Sequence, residues 1–221
     1  SAWDFGDGTG LTNRPYASHV WDTAGTYPVV LTAWNADHPT GVSCTTMVSV
    51  VERPVFYVNI SNPNPVYPYT TWATAATNIQ DAISVDLTVG RLVLVTNGVY
   101  NTGGIVVSGT MSNRIALTSG VRVQSVNGPE TTIIQGKGPI GEGAIRCANL
   151  ASDSVLVGFT LTNGATLANG DTSGGGVWRA SRSSVVSNRW IVGHTAANLG
   201  GGVYGGTLID CSLCGNRVDE L

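Results

Sequence analysis

The chain repeats its own pattern in its last third, and this repetition restricts the fold more than any other feature. Three segments alternate short β-branched runs with a small residue: SVLVGFTLTN (154–163), SVVSNRWIVG (184–193) and TLIDCSLCGN (207–216). A second word recurs between them, GGGVW at 174–178 and GGGVY at 200–204. Short apolar runs separated by glycine at a regular spacing are typical of coils that stack on one another. The sequence therefore predicts a parallel β-solenoid, in which each coil covers the apolar face of its neighbour.

The spacing of the strands predicts how these coils are built. Equivalent first strands begin at intervals of 29, 34, 30 and 23 residues, near Leu92, Val121, Val155, Val185 and Leu208. Such intervals suit three short strands per coil, joined by turns of variable length. We therefore predict a parallel β-helix over residues 91–221. We expect it to be truncated at its C-terminal end, because the repeat stops shortly before residue 221.

Composition excludes several classes of protein. Only 11% of the 221 residues are charged, 42% are hydrophobic and the net charge is −3. This balance predicts a folded chain and no nucleic-acid partner, because phosphate binding requires a positive surface. No run of about 18 apolar residues occurs, so we expect no membrane insertion.

Residues 54–90 are predicted to form a transition between two domains. A strand at 57–60 and a proline-rich loop at 62–68 precede one amphipathic helix over 71–83. The apolar residues of this helix recur at helical spacing and are Trp72, Ala75, Ala76, Ile79, Ala82 and Ile83. Because the first coil would otherwise expose its interior, we expect the helix to cap it.

This order of elements resembles the start of pectate-lyase-like right-handed parallel β-helix proteins. In that family the word IQDAI, here at 79–83, marks the capping helix, and GFTLTNG and GGGVW strengthen the resemblance over roughly residues 55–217. The chain looks most like large secreted repeat proteins of environmental bacteria. The resemblance implies the fold but leaves the function open, because this fold carries lyases, glycoside hydrolases, esterases and adhesins.

Residues 1–53 have an all-β pattern of their own. WDFGDG at 3–8 leads into a tight turn, short strands are predicted at 19–21 and 43–51, and residues 27–34 alternate between two faces. WDFGDG, the His-x-Trp strand and GTYPVVLTAWN closely resemble the PKD (polycystic-kidney-disease) type module. That resemblance implies an immunoglobulin-like sandwich of an extracellular or bacterial cell-surface protein, with a role in spacing or carbohydrate association.

The match to this module is incomplete in two respects. Trp21 stands where the family has a tyrosine, and the strands that normally precede WDFGDG are missing. The remaining strands would then have an unpaired edge. We expect a neighbouring chain or the end of the coils to cover it, and therefore a homo-oligomer formed through exposed strand edges.

Polysaccharide-processing β-helices carry their catalytic groups on the outer face, and three carboxylates are candidates here. Asp153 precedes one predicted strand and Asp210 ends another two coils later, a separation of about 9.6 Å at the usual strand spacing. That distance is at the upper edge of the range for inverting glycosidases. Asp171 lies in the loop before GGGVW and could approach either carboxylate. The alternative is that all three accept hydrogen bonds in turns, and His194 is interpreted as a solvated turn residue rather than a base.

The clearest indication of a ligand is aromatic. Trp178 and Tyr204 follow the same Gly-Gly-Gly-Val word and so belong to one column of consecutive coils. If Val177 and Val203 point inward, alternation directs both rings outward. With Arg179 beside them, they would form a platform on which sugar rings stack, and the alternative is a ladder of rings that stabilises the coils.

Metal sites are weakly indicated. Asp4 and Asp7 could be half of a calcium site, but carboxylates in such turns more often accept backbone hydrogen bonds, and that interpretation is preferred. Cys211 and Cys214 have the CxxC spacing of zinc and redox sites without further ligands nearby, so we interpret them as packing residues. No cofactor is expected, with calcium as the alternative.

Together these patterns predict a secreted, carbohydrate-associated protein, a fragment of a polysaccharide-binding or polysaccharide-degrading enzyme of the hydrolase or lyase type. The alternative is a non-catalytic bacterial surface adhesin or structural repeat protein. Outward carboxylates clustered in a groove would favour the enzyme, and a smooth outer surface would favour the adhesin.

Overall fold

The computed structural model describes residues 1–85 and 90–219. The chain divides into two compact units, Ser1–Arg53 and Pro54–Leu221. Strands account for 42% of the residues and helices for 4%, so the prediction of an all-β protein is confirmed. None of the described helices is long and apolar enough to cross a membrane.

The first unit is built from one antiparallel sheet with the strand order β2-β1-β3-β4. Its strands are β1 (Ala2–Asp4), β2 (Gly10–Thr12), β3 (Gly25–Ala33) and β4 (Val42–Val50). The long hairpin of β3 and β4 pairs along its whole length, from Gly25 opposite Val50 to Ala33 opposite Val42. This is the longest antiparallel pairing in the described part of the chain, and it makes up most of the sheet of this unit.

The WDFGDG segment positions a small aromatic cluster beside this sheet. The His19 ring stacks on the buried Phe5 ring at 4.2 Å, and the Trp21 ring meets both edge-on. Trp21 Nε1 donates a hydrogen bond of 3.0 Å to the Phe5 carbonyl, and His19 Nε2 lies 2.6 Å from Asp7 Oδ2. The strand predicted at 19–21 is wrong, because these residues are held by side-chain packing and not by strand pairing.

The second unit contains most of the strands and two short helices. In chain order the elements are β5 (Val55–Val58), a 3₁₀ turn (Trp72–Thr74), α1 (Ile79–Ile83), β6 (Leu92–Val95), β7 (Gly98–Tyr100), β8 (Ile105–Val106), β9 (Ser112–Leu117), β10 (Arg122–Ser125), β11 (Thr132–Gln135), β12 (Ile145–Leu150), β13 (Val155–Val157), β14 (Thr160–Thr162), β15 (Val177–Arg179), β16 (Val185–Val192), β17 (Thr195–Ala196), β18 (Val203–Tyr204), β19 (Thr207–Cys214) and β20 (Arg217–Val218).

These strands pair in three parallel stacks. The first stack runs β5-β6-β10-β13 and continues through the first half of β16 and β19. The second runs β7-β11-β14 and continues through the second half of the same two long strands. The third runs β9-β12-β15-β18, with β8 antiparallel to β9 at its edge, and β17 pairs separately with β20. The chain therefore passes once through each stack before it starts the next layer.

The register of the first stack refines the predicted strand starts. Leu92 aligns with Arg122, which in turn aligns with Val155, and the next layers continue with Val185 and Thr207. β10 begins at Arg122 and β19 at Thr207, each within one residue of the predicted starts near Val121 and Leu208. Because the turns before these strands vary in length, the sequence does not indicate the first residue that pairs.

The interior of the stacks is a continuous apolar column. Val93, Val123, Leu156 and Val186 are fully buried in the first stack, one in each layer. Their successor in β19, Leu208, is 38% exposed. Burial of each layer by the next therefore supplies the core, as the repeat pattern predicts.

The helix predicted over 71–83 is wrong in its middle. Thr71 caps the 3₁₀ turn with its side chain, and Asn78 caps α1 by accepting a hydrogen bond from the Gln80 N–H. Between them Ala76 bonds to both Tyr57 and Asn59, so its backbone belongs to the edge of β5. A backbone that pairs with a strand cannot also close a helical turn. The Trp72 side chain consequently stays 41% exposed.

The short helix α1 nevertheless covers the apolar interior beside the first layer. Its residues Ile79, Ala82 and Ile83 are buried in the core. The Gln80 side chain accepts a 2.7 Å hydrogen bond from the Ala116 N–H of β9. One amide side chain thus replaces a strand partner at this sheet edge, which is a common way to protect an exposed edge.

Candidate functional site

One outward column crosses the third stack of strands. Asn149 aligns with Ala116 on one side and with Trp178 on the other, and Trp178 aligns with Tyr204. The Val177 side chain is fully buried, so alternation directs the Trp178 ring to the outer face. Trp178 is half-buried and Tyr204 is 39% exposed. No ring contact joins Trp178 to Tyr204 within the described chain, so the interpretation as a stacked aromatic ladder finds no support there.

A cavity of about 460 Å³ opens on this face beside Trp178. We name it the Trp178 cleft, and its lining residues are Val107, Ser108, Gly109, Asn113, Asn149, Gly170, Asp171 and Trp178. Its volume falls within the range of about 300–1,000 Å³ that is usual for small-ligand sites. A second cavity of about 490 Å³ shares Val107 and Asn149 with it and is lined largely by apolar residues such as Ile83, Ala116 and Leu117. The two cavities are therefore neighbours on the face that carries Asn149.

The Trp178 cleft brings Asp171 beside Trp178, and a buried arginine holds the carboxylate in place. Arg146 NH2 lies 2.6 Å from Asp171 Oδ1, and Arg146 NH1 lies 3.3 Å from Asp171 Oδ2. The remaining donors of this guanidinium bond to the carbonyls of Gly174 and Ser173 and to Asn113 Oδ1. All five N–H groups of the guanidinium therefore have acceptors. The Asp171 carboxylate is 33% exposed and keeps free lone pairs toward the cleft.

Asn149 differs from its polar neighbours because its side chain has no partner. The residue is 9% exposed, and its amide makes no hydrogen bond within the described residues. It lines both cavities. The residue is nearly buried, but its amide oxygen and nitrogen reach solvent at the cavities, where water or a ligand can bond to them. The indole N–H of Trp178 likewise makes no bond to the described protein.

Two of the three predicted catalytic carboxylates lie outside this cleft and far from each other. Asp153 lies two residues before Val155, whereas Asp210 lies three residues after Thr207, which aligns with Val155 two layers on. Asp153 therefore precedes the first-stack strand of its layer, and Asp210 follows the first-stack segment of β19, so the two lie at opposite ends of the first stack. Both residues have positive φ, 57° for Asp153 and 51° for Asp210, at different corners of the layer. The predicted pairing of these two carboxylates is therefore wrong, because it ignored their positions along the strand.

Arg179 does not flank the aromatic column as predicted. Alternation after Trp178 turns the arginine inward, where it is 4% exposed and donates to the carbonyls of Ser184 and Thr207. Burial lowers the pKa of its guanidinium to about 10. A side chain enclosed in this way cannot contact a ligand on the outer face.

His194 is neither a solvated turn residue nor an accessible base. It is fully buried, its Nδ1 accepts a 2.9 Å bond from the Gly164 N–H, and its Nε2 lies 3.0 Å from the Leu161 carbonyl. Burial lowers its pKa to about 4. Gly176, the third glycine of GGGVW, leaves room for the ring, since a Cβ there would lie 2.7 Å from His194 Cδ2. The repeated glycine word thus serves internal packing.

The candidate metal ligands are engaged in local bonds. Asp4 Oδ1 accepts the Gly6 N–H, and Asp7 Oδ1 accepts both the N–H and the hydroxyl of Thr9. No group of three or more His, Cys, Asp or Glu side chains that could hold a metal is found in the searched part of the chain, which leaves out residues 86–89 and 220–221. Cys211 Sγ lies 3.4 Å from the Val186 carbonyl.

Sequence reasoning missed the residues that complete the Trp178 cleft, namely Asn113, Arg146 and Asn149. The signal that could have found Asn149 is its alignment with Trp178, because residues 147–150 (CANL) and 176–179 (GVWR) occupy the same strand position of consecutive layers. The earlier layer has no Gly-Gly-Gly-Val motif before Asn149, so the repeat in the sequence does not indicate this alignment.

The fold and this cleft define an all-β protein with an antiparallel first unit and a cleft on a parallel-stranded second unit. Residues 1–48 match the model of the PKD domain family, so the prediction of a PKD-type module in the first unit is confirmed. PKD domains occur in extracellular proteins. No curated protein and no solved structure matches the chain.

Proposed function

We propose that the second unit is a right-handed parallel β-helix and that the protein is an extracellular carbohydrate-binding protein. Three parallel stacks, traversed once per layer with inward apolar columns, support the first part of the proposal. The PKD domain at residues 1–48 supports the extracellular location. The ligand site proposed is the Trp178 cleft.

One observation carries the proposal of carbohydrate binding: a solvent-accessible amide without a protein partner lies beside a half-buried tryptophan in a cavity of ligand size. The Trp178 ring offers an apolar face on which the C–H groups of a sugar ring can stack. The Asn149 amide supplies one donor group and one acceptor, which suits a hydroxyl that both donates and accepts. The Asp171 carboxylate adds acceptors on the same side. This combination of one flat apolar surface and a few convergent polar groups is what a sugar requires.

The same geometry favours binding over hydrolysis. Glycoside hydrolysis commonly uses two carboxyl groups about 5–9.5 Å apart, one on each side of the scissile bond. Among the described residues, Asp171 is the single carboxylate in the cleft, and it is paired with Arg146. We therefore propose a non-catalytic role, in which the cleft attaches the protein to a polysaccharide.

Binding to a panel of plant, algal and bacterial polysaccharides, measured by affinity electrophoresis and calorimetry, tests this proposal. Trp178→Ala is expected to weaken binding about tenfold or more, because the stacking surface is lost. Trp190→Ala is the matched control, since Trp190 is 44% exposed in the second stack, away from the cleft. Equal affinity of Trp178→Ala and wild type for every bound glycan would refute the site, and release of reducing sugar would refute the non-catalytic role.

A further inference from the structure

We infer that the Trp178 cleft selects uncharged glycans and rejects polyanionic ones such as uronates and sulfated polysaccharides, with Asn149 as the residue that determines specificity. This inference rests on the proposed function, because it narrows the ligand class of the same site. It is carried by the charges that face the cleft and by the satisfaction of the one cation behind it.

Within residues 1–85 and 90–219, the arginine that bonds to lining residues of the Trp178 cleft is Arg146, and all its donors already have acceptors. Arg146 is fully buried, and its donors bond to Asp171, Asn113 and two backbone carbonyls. A carboxylate or sulfate ligand would have to displace one of these acceptors, and a planar guanidinium has no sixth N–H to offer. The positive charge of Arg146 therefore holds Asp171 in position and is not free to bind a ligand.

The charge that remains exposed in the cleft is negative. Asp171 keeps a third of its side chain accessible, and no lysine or arginine is among the described residues that line the cleft or the apolar cavity beside it. An anionic sugar would meet the exposed oxygens of Asp171, and no N–H of Arg146 is left to bind the sugar's own charge, which is unfavourable in a partly enclosed site. A neutral sugar hydroxyl can instead donate to the same carboxylate oxygens.

Asn149 makes the recognition depend on hydroxyl geometry. The residue lines both cavities, and its amide has no intramolecular hydrogen bond to lose. A ligand hydroxyl at that position bonds to the amide, whereas a ligand that lacks the hydroxyl displaces water from the amide without replacing its hydrogen bonds. The residue therefore acts as a selector, while Trp178 provides the stacking surface.

The test compares neutral polysaccharides (galactan, glucomannan, xyloglucan) with polyanions (polygalacturonate, alginate, a sulfated galactan) at about 20 and 500 mM NaCl. We expect binding to at least one neutral glycan with less than about a twofold change in Kd between the two salt concentrations, because no ion pair is screened. Polyanions are expected not to bind. Asn149→Ala should weaken neutral binding about tenfold, and Asn198→Ala, an exposed asparagine of the same unit, should leave it unchanged.

Each outcome separates the inference from the proposed function. Polyanion binding that is lost in Trp178→Ala and weakened by salt would overturn the selection of neutral glycans and leave the carbohydrate site standing. Neutral binding that depends on Trp178 but not on Asn149 would overturn the role of Asn149. Absence of binding to every polysaccharide would overturn both. Thermal melting of each variant checks folding, and Asn149→Ala is expected to melt with the wild type because the amide has no protein partner.

Discussion

Lowering the pH from about 7 to 4 is expected to destabilise the second unit through one buried side chain, His194. The ring is enclosed between the Gly164 N–H and the Leu161 carbonyl, and the Gly176 backbone packs against its edge. Burial removes the ring from water, and the backbone hydrogen bonds to Leu161 and Gly164 only partly offset the cost of a proton on the imidazole. The pKa of His194 consequently falls from 6.5 to about 4.

The size and the pH window of this effect follow from the two pKa values. Between about pH 6.5 and 4 the unfolded chain binds a proton at this histidine and the folded chain does not, so protons favour unfolding. A difference of about 2.5 pKa units corresponds to about 3 kcal/mol. This contribution to the free energy of unfolding is present in full above about pH 6.5 and is lost as the pH falls to about 4.

The comparison variant is His194→Asn, which does not titrate. The aligned residue of the next layer, Asn216, already donates a 2.8 Å bond to the Ile191 carbonyl, as His194 does to the carbonyl of Leu161. Denaturant unfolding at several pH values gives the free energy for both proteins, and the exposed carboxylates titrate equally in each. The wild type is expected to lose about 3 kcal/mol more than the variant. Parallel pH profiles, or an NMR signal assigned to His194 that titrates near 6.5 in the folded protein, would refute the reasoning.

Three further predictions concern stability. Gly176→Ala should lower the free energy of unfolding by about 3 kcal/mol in denaturant titration, because its Cβ would overlap the Gly202 carbonyl and the His194 ring. Gly143→Ala should change it by less than about 0.5 kcal/mol, since that Cβ meets only Lys137 Nζ at 3.9 Å. Arg189→Met should raise the melting temperature and add about 2 kcal/mol, because NH1 and NH2 of this buried guanidinium have no acceptor among the residues that the structure describes; a lower melting temperature would contradict this. Asp7 has a pKa lowered to about 2 by its bonds to Thr9 and His19, so the first unit should lose stability as the pH falls from about 4 to 2. Asp7→Asn should remove that dependence in a tryptophan fluorescence titration, and an unchanged acid transition would disprove the role of the carboxylate.

The repeated sequence motifs predicted the order of the strands better than the boundaries of the elements within any one layer. The apolar columns through Val93, Val123 and Leu156 follow directly from alternation within short β-branched runs. The helix boundary could not be derived in the same way. Residues 71–83 have helical periodicity, but the Ala76 backbone pairs with β5, and pairing with a distant strand overrides a local preference.

The candidate site was predicted only in part, for a related reason. Trp178 and Tyr204 share a column because both follow the same word, and the register places them side by side. Asp153 and Asp210 were paired by counting layers, and their positions at opposite ends of the first stack separate them. Arg179 was placed beside Trp178 on the outer face, although the alternation that turns Trp178 outward turns its neighbour inward.

The sequence by itself determined the alternation of each strand, the glycine words that make room for buried rings, and the PKD module at residues 1–48. These features depend on residues that are consecutive or repeat at a constant interval. Only the tertiary structure decided that Asn113, Asn149 and Asp171 meet Trp178 in one cleft, with Arg146 behind them. Those residues come from different layers and from a loop, so their convergence depends on the register between strands and on the path of the turns. Neither quantity is encoded in the local pattern, because a strand has the same alternation whichever neighbour it pairs with.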